Sequence, residues 1–79
     1  MSKLVTLLNG PNLNMLGTRE PELYGTTTLA EIEQHTRALA ESLGLACEFR
    51  QTNHEGVLVD WIQEAATRDA AVVINPAGF

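Results

Sequence analysis

Three short apolar runs alternate with two amphipathic segments along the chain. Residues 4–8 and 70–75 are apolar almost without interruption, which is typical of strands covered on both faces in a parallel sheet. In residues 45–51 the larger apolar side chains alternate with Glu48 and Arg50, a pattern typical of an edge strand with one wetter face. The pattern therefore predicts three strands, of which the second lies at an edge.

The two amphipathic segments predict helices. The first covers residues 29–43, begins at a capping box formed by Thr28 and Glu31, and ends at Gly44, which can adopt the left-handed conformation of a helix stop. Its apolar face comprises Leu29, Ile32, Leu39 and Leu43. The second runs to about Arg68, and either Asn53 or Glu55 is expected to satisfy its first free amides. Its apolar face comprises Leu58, Trp61, Ile62, Ala65 and Ala66.

The order β-α-β-α-β with right-handed crossovers predicts an α/β domain over residues 1–79, with a parallel sheet and helices on both faces. Two strand orders are plausible, a flavodoxin-like 2-1-3 and a Rossmann-type 3-2-1. The alternation in the second strand favours 2-1-3, because that order leaves this strand at an edge. The loop after Leu8 and the segment after Ile74 should then line a common crevice at the switch point between the first and third strands.

The third strand is the other edge in that order. An uncovered apolar edge at residues 70–75 is an aggregation hazard that complete proteins normally pair or cover. We therefore expect the chain to be a truncated part of a longer polypeptide.

The connection between the first strand and the first helix is unusual. It runs to about twenty residues, whereas strand-to-helix loops typically have about two to six. It contains two prolines and three glycines, together with apolar residues that can anchor it. These features predict an ordered active-site loop with a mobile segment at residues 19–24.

Tyr24 and Arg19 are the candidate catalytic pair in this loop. A phenol with a pKa of about 10 is a poor base at neutral pH, and lowering the pKa by three units requires about 4 kcal/mol of preferential anion stabilisation. The positive charge of Arg19 could supply this stabilisation of the phenolate if the loop places Arg19 beside Tyr24. The alternative is a surface anchor tyrosine and a solvated arginine.

Neutral amides form a second group. Asn9 and Asn14 are interpreted as turn residues. Asn12 and Asn75 are expected at the crevice, where a ligand-binding and a structural role are equally open.

Composition narrows the classes of partner. The net charge is −5 and the five basic residues are scattered, so a nucleic-acid footprint is not expected. No apolar run is long enough to span a bilayer, and the single cysteine, Cys47, cannot form an intrachain disulfide, so we expect a reducing cytoplasm and no membrane partner. No His/Cys spacing resembles a metal site. Trp61 and Cys47 are interpreted as packing residues.

Three motifs together resemble a known family, the type II 3-dehydroquinate dehydratases of the shikimate pathway. They are residues 8–21 with Tyr24-Gly25, residues 51–56, and residues 74–76 with Gly78. The resemblance implies a flavodoxin-like fold, no cofactor or metal, and a homododecamer of four trimers. It also implies reversible anti elimination of water from 3-dehydroquinate, through an enolate, to give 3-dehydroshikimate.

The resemblance also implies roles for individual residues. Tyr24 matches the base that removes the proton α to the ketone, and Arg19 matches the neighbour that lowers its pKa, both within the family's lid. Asn12 resembles the residue that holds a water against the enolate oxygen, and Asn75 resembles a substrate-binding amide. The residues that resemble further contributors to the shape and contacts of the site are Pro11, Glu20 and Gly78.

The family's general acid is a histidine beyond the point where this chain stops, and His35 and His54 do not match it. The resemblance therefore implies that this chain carries the base half of the mechanism and is inactive alone. Two other functions of flavodoxin-like proteins fit these residues poorly. A phosphoacceptor receiver needs acidic residues at the positions of Asn9 and Asn75, and a flavin binder needs a hydroxyl-rich phosphate loop after the first strand. A third interpretation is a purely structural fragment.

Overall fold

The predicted order of elements is confirmed in residues 3–18 and 25–79, the part of the chain that the computed structural model describes. The strands are β1 (Leu4–Asn9), β2 (Ala46–Gln51) and β3 (Ala71–Asn75). The helices are α1 (Leu29–Ser42) and α2 (Glu55–Thr67), and a 3₁₀ turn spans Leu13–Met15. The boundaries of the three strands and of α1 differ from the predicted ones by one residue at most at either end, and α2 ends one residue before the predicted position.

The sheet is parallel and has the order β2-β1-β3, which confirms the predicted 2-1-3 arrangement and rejects 3-2-1. Leu7 in the central strand lies opposite Phe49 of β2 and Val73 of β3. At the carboxyl end, Asn9 lies opposite both Gln51 and Asn75. The register thus brings three amide side chains to one edge of the sheet.

The central strand separates the two helices. Thr6 and Leu8 are each 1% exposed and face the side on which α2 buries Leu58 and Ala65. The neighbouring side chains of β1 point to the opposite face because successive residues of a strand alternate. There Val5, Leu7 and Cys47 line a shallow apolar groove with residues of α1. The helices therefore lie on opposite faces of the sheet, as predicted.

Both ends of α1 follow the predicted signals. The Thr28 hydroxyl accepts a hydrogen bond from the Glu31 amide at 3.2 Å. At the other end Gly44 has φ of 72°, and the Leu45 amide donates to the Ala40 carbonyl at 2.9 Å, which closes a Schellman motif. Thr28 and Gly44 therefore determine where α1 begins and ends, as the sequence predicted.

The predicted core faces of the helices are wrong in part. Leu39 of α1 and Leu43, its C-cap residue, are 61% and 64% exposed, and Ile62 of α2 is 39% exposed. The reason is that no element in residues 3–18 and 25–79 covers these positions; α1 buries Ala40 instead. Ile32 and Ala66 are exposed for the same reason.

Strand β3 is likewise exposed along its length, although its composition predicted burial. Val73 is 54% exposed, and only β1 pairs with β3 in the described part of the chain. The uncovered apolar edge expected from the strand order is therefore present.

The start of α2 differs from the prediction. His54 is the N-cap residue and its side chain makes no capping hydrogen bond. The Thr52 hydroxyl accepts from the His54 amide at 3.0 Å, whereas the Asn53 side chain bonds elsewhere. Glu55 lies in the first turn, where its charge favours the helix dipole.

Trp61 is half-buried, and the Arg50 guanidinium lies 5.3 Å from the centroid of its ring. Arg50 also belongs to an ion-pair network with Glu48, Glu64 and Arg68, which ties edge strand β2 to α2. The shortest contact joins Arg68 Nη2 and Glu48 Oε1 at 2.7 Å. This contact holds the pKa of the Glu48 carboxyl well below its usual range, at about 2.

The described residues contain neither a membrane-spanning helix nor a metal-binding cluster. None of the helices there is long and apolar enough to cross a membrane. The same residues contain no group of three or more His, Cys, Asp or Glu side chains that could hold a metal ion.

Candidate active site

The loop after β1 and the segment after β3 meet at Gly10. Its amide donates to the Asn75 carbonyl at 2.9 Å, and the residue is buried. A Cβ at this position would overlap the carbonyl oxygen of Pro76 and lie 2.8 Å from its carbonyl carbon. Only glycine lets the two backbones approach this closely.

The approach creates an open cleft of about 450 Å³ at the carboxyl ends of β1 and β3. It is lined by Pro11, Asn12, Leu13, Met15, Leu16, Ala77 and Gly78. The predicted common crevice is therefore present. Of the predicted site residues, Pro11, Asn12 and Gly78 line the cleft, and Asn75 lies immediately before its β3 side.

Asn12 has an unusual backbone. Its φ of 66° and ψ of −3° place it in the left-handed region, which asparagine tolerates better than most residues. Its carbonyl accepts from the Met15 amide at 2.9 Å, and its amide donates to Asn53 Oδ1 at 2.9 Å. The side chain makes no capping bond to the 3₁₀ turn and is exposed. Turn chemistry thus accounts for the main chain of Asn12, while its carboxamide is open to a ligand.

The side-chain carboxamides of Gln51 and Asn53, at the end of β2, form hydrogen bonds to this loop. We call these two residues the amide clamp. Gln51 Nε2 donates to the Gly10 carbonyl at 3.1 Å and to Asn53 Oδ1 at 3.0 Å. A longer contact of 3.4 Å joins it to Asn14 Oδ1. Sequence reasoning missed this role, although residues 51–56 had been singled out as a motif at the end of β2.

The other asparagines have structural partners. Asn75 Oδ1 accepts from the Ala77 amide at 3.2 Å, a turn in which Ala77 itself has φ of 49°. Asn9 Nδ2 donates to the Arg50 carbonyl at 2.9 Å, so Asn9 is structural as predicted, but it braces β2 and does not form a turn.

The lining of the cleft is neutral within residues 3–18 and 25–79. Arg19, Glu20 and Tyr24, together with the mobile segment predicted at residues 19–24, lie outside the described residues. Their pairing therefore stays a prediction. What the described residues supply is the Asn12 carboxamide and an apolar wall that includes Leu13, Met15 and Leu16.

Comparison with known proteins identifies this arrangement. The sequence model of the family described as "Dehydroquinase class II" matches residues 3–79. Proteins named "3-dehydroquinate dehydratase" from Chelativorans sp. (strain BNC1) and "3-dehydroquinate dehydratase 2" from Pseudomonas aeruginosa are 60% and 57% identical over all 79 residues. The alignments cover 54% and 53% of those proteins.

Solved structures of type II dehydroquinases have the same fold as this chain. The type II dehydroquinase from Propionibacterium acnes superposes with a TM-score of 0.90 at 48% identity, over 98% of this chain and 53% of that one. The type II dehydroquinase from Butyrivibrio crossotus gives a TM-score of 0.92 at 36% identity, over 98% of this chain and 54% of that one.

The chain belongs to the class II dehydroquinase family, which confirms the resemblance found in the sequence. It spans about half the length of the curated relatives it matches.

Proposed function

We propose that the protein carrying this chain is a 3-dehydroquinate dehydratase, a hydro-lyase that converts 3-dehydroquinate to 3-dehydroshikimate in the shikimate pathway. Family membership and the names of the relatives support this activity. The observation that carries the proposal is the cleft at the joined ends of β1 and β3, which is lined by Asn12, a residue with an exposed side chain.

In this proposal Tyr24, as tyrosinate, removes the proton α to the ketone of the substrate. The proposal requires Arg19 to lie beside it, so that its charge favours the phenolate over the phenol. A lowering of the phenol pKa by about three units corresponds to about 4 kcal/mol of preferential stabilisation, a reasonable amount for an adjacent guanidinium shielded from water. Closure of the loop around both residues would provide that shielding.

Asn12 acts on the charge that develops as the proton leaves. Its carboxamide holds a water against the enolate oxygen, where a preorganised donor stabilises the transition state more than the ground state. The residues proposed to contact the substrate are Pro11, Asn75 and Gly78. Asn75 Oδ1 accepts from the Ala77 amide, so in this proposal the side-chain Nδ2 is the atom that donates to the substrate.

The elimination also needs an acid to protonate the leaving hydroxyl. We propose that a histidine and further substrate contacts come from a C-terminal half like that of the relatives, and that the enzyme uses neither cofactor nor metal. We call this chain joined to such a half the complete protein, and we propose a cytoplasmic dodecamer for it. The exposed apolar edge of β3 and the bare apolar face of α1 provide surface for the second half to cover.

The test is Tyr24→Phe in the complete protein. Formation of the conjugated enone product, followed by its ultraviolet absorbance, should fall to background, because phenylalanine keeps the ring and removes only the proton acceptor. Gln63→Ala on the exposed face of α2 is the matched control and should retain full turnover. Turnover by Tyr24→Phe equal to that of the parent protein would refute the assignment.

A structural fragment is the second candidate function for the isolated chain, favoured by the exposure of Val73 and Leu43. Its test is the same assay on the 79-residue chain alone, for which we expect no enone formation. Measurable dehydration by the isolated chain would show that the acid half is dispensable.

A further inference from the structure

The amide clamp lies outside the cleft and contacts the loop after β1, which forms one of its walls. Gln51 ends β2, directly opposite Asn9 in the register, and Asn53 follows in the connection to α2. Both side chains turn toward the loop after β1, which is 41 residues earlier in the chain. The contact is therefore tertiary and does not arise from local turn chemistry.

The acceptor in the clamp is a single atom, Asn53 Oδ1. It accepts hydrogen bonds from the Asn12 backbone amide at 2.9 Å and from Gln51 Nε2 at 3.0 Å, and both of these groups can only donate. An exchange of the Asn53 oxygen and nitrogen would place a donor against two donors, so the orientation of this carboxamide is determined. Gln51 in turn donates to the Gly10 carbonyl, which ties the clamp to the point where β1 and β3 meet.

We propose that Asn53, held by Gln51, is a positioning residue for Asn12: it fixes the left-handed main chain of Asn12 and so directs the carboxamide of Asn12 into the cleft. This rests on the proposed dehydratase function. A left-handed non-glycine residue persists only where its surroundings over-determine it. Here the Met15 amide holds the carbonyl side of Asn12, and Asn53 holds the amide side.

The consequence for the reaction is geometric. A donor acting on developing charge must be prepositioned, and a displacement of about 1 Å can cost a large part of its effect. Without Asn53 the Asn12 backbone can relax to commoner conformations, and its side chain then leaves the required direction. The effect should appear in kcat more than in KM, because the enolate oxygen carries its charge only during the reaction.

The experiment compares Asn53→Ala and Asn53→Asp in the complete protein. Aspartate keeps an oxygen at the acceptor position and alanine removes it. Backbone hydrogen exchange, measured by mass spectrometry on a peptide covering residues 10–16, should be about five- to tenfold faster in Asn53→Ala than in the parent, as expected for the loss of one hydrogen bond. Asn53→Asp should restore the parent rate of exchange.

Enone formation by the same variants gives the kinetic readout. We expect kcat to fall about three- to tenfold in Asn53→Ala and to recover in Asn53→Asp, a range equal to the net contribution of one hydrogen bond. Saturating substrate is used because the added carboxylate can raise KM for an anionic substrate. His54→Ala is the matched control, since His54 is adjacent and exposed and makes no capping bond; it should change neither readout.

The outcomes separate the two proposals. Unchanged exchange of residues 10–16 in Asn53→Ala would overturn the clamp. Faster exchange with unchanged kcat would overturn its link to the reaction and leave the dehydratase activity standing. A complete protein without dehydratase activity would overturn the proposed function and the kinetic half of the inference, while the exchange comparison would still decide the contact.

Discussion

Replacement of Gly10 by alanine should destabilise the protein and push the loop after β1 away from the segment after β3. The added methyl group would overlap the Pro76 carbonyl oxygen and lie 2.8 Å from its carbon, and both atoms belong to the backbone, so no side chain can swing away. Overpacking of this kind costs about 1–3 kcal/mol. The displacement also stretches the 2.9 Å bond from the Gly10 amide to the Asn75 carbonyl, a contact worth about 1 kcal/mol.

We therefore expect Gly10→Ala to lower the free energy of unfolding by about 2–4 kcal/mol. Urea denaturation of the complete protein measures this, at one fixed protein concentration because assembly adds to apparent stability. Gly56→Ala is the matched control: a Cβ there has no neighbour within 4 Å, and alanine is the better helix former. If both variants unfold at the same urea concentration, the close approach at Gly10 does not constrain the fold.

Three further predictions concern stability. The Glu48 pKa is held at about 2 against an ordinary 4.5, so its ion pair with Arg68 stabilises the fold fully above pH 4.5 and is lost as the pH falls toward 2. Glu48→Gln should remove about 1 kcal/mol of this acid-sensitive stability, a value reduced because the side chain is partly exposed. Identical acid titrations of the two proteins would contradict this. Asp69 follows Arg68, the C-cap residue of α2, and has φ of 54°, so Asp69→Gly should stabilise by about 1 kcal/mol in urea denaturation, and a lower midpoint would refute this. Thr28→Ala removes the cap of α1 and should cost about 1 kcal/mol, with Thr28→Ser, which keeps the hydroxyl, as the control.

Much of the fold was predictable because its signals are local. The continuous apolar character of residues 4–8 predicted a central strand, and the alternation of Glu48 and Arg50 predicted an edge, which together determined the order 2-1-3. Gly44 predicted the end of α1 because glycine adopts the left-handed conformation of a helix stop without help from distant residues. The crevice followed from the strand order alone.

The burial of individual side chains was not predictable in the same way. Leu39 and Leu43 have the spacing of a core face, but spacing records which side chains are apolar and does not reveal whether a surface is present to cover them. The amide clamp was missed for a different reason. The bond from Asn12 to Asn53 joins residues 41 positions apart, and a pair of asparagines has no sequence pattern that predicts contact.

The closeness of Gly10 to Pro76 has a consequence for biosynthesis. The loop that forms one wall of the cleft leaves the ribosome early, whereas β3 and the residues after it emerge only when most of this chain has been made. Until β3 pairs with β1, the Gly10 amide has no Asn75 carbonyl to bind, so the cleft cannot exist on the nascent chain. A nascent polypeptide arrested before residue 71 should therefore lack the binding site.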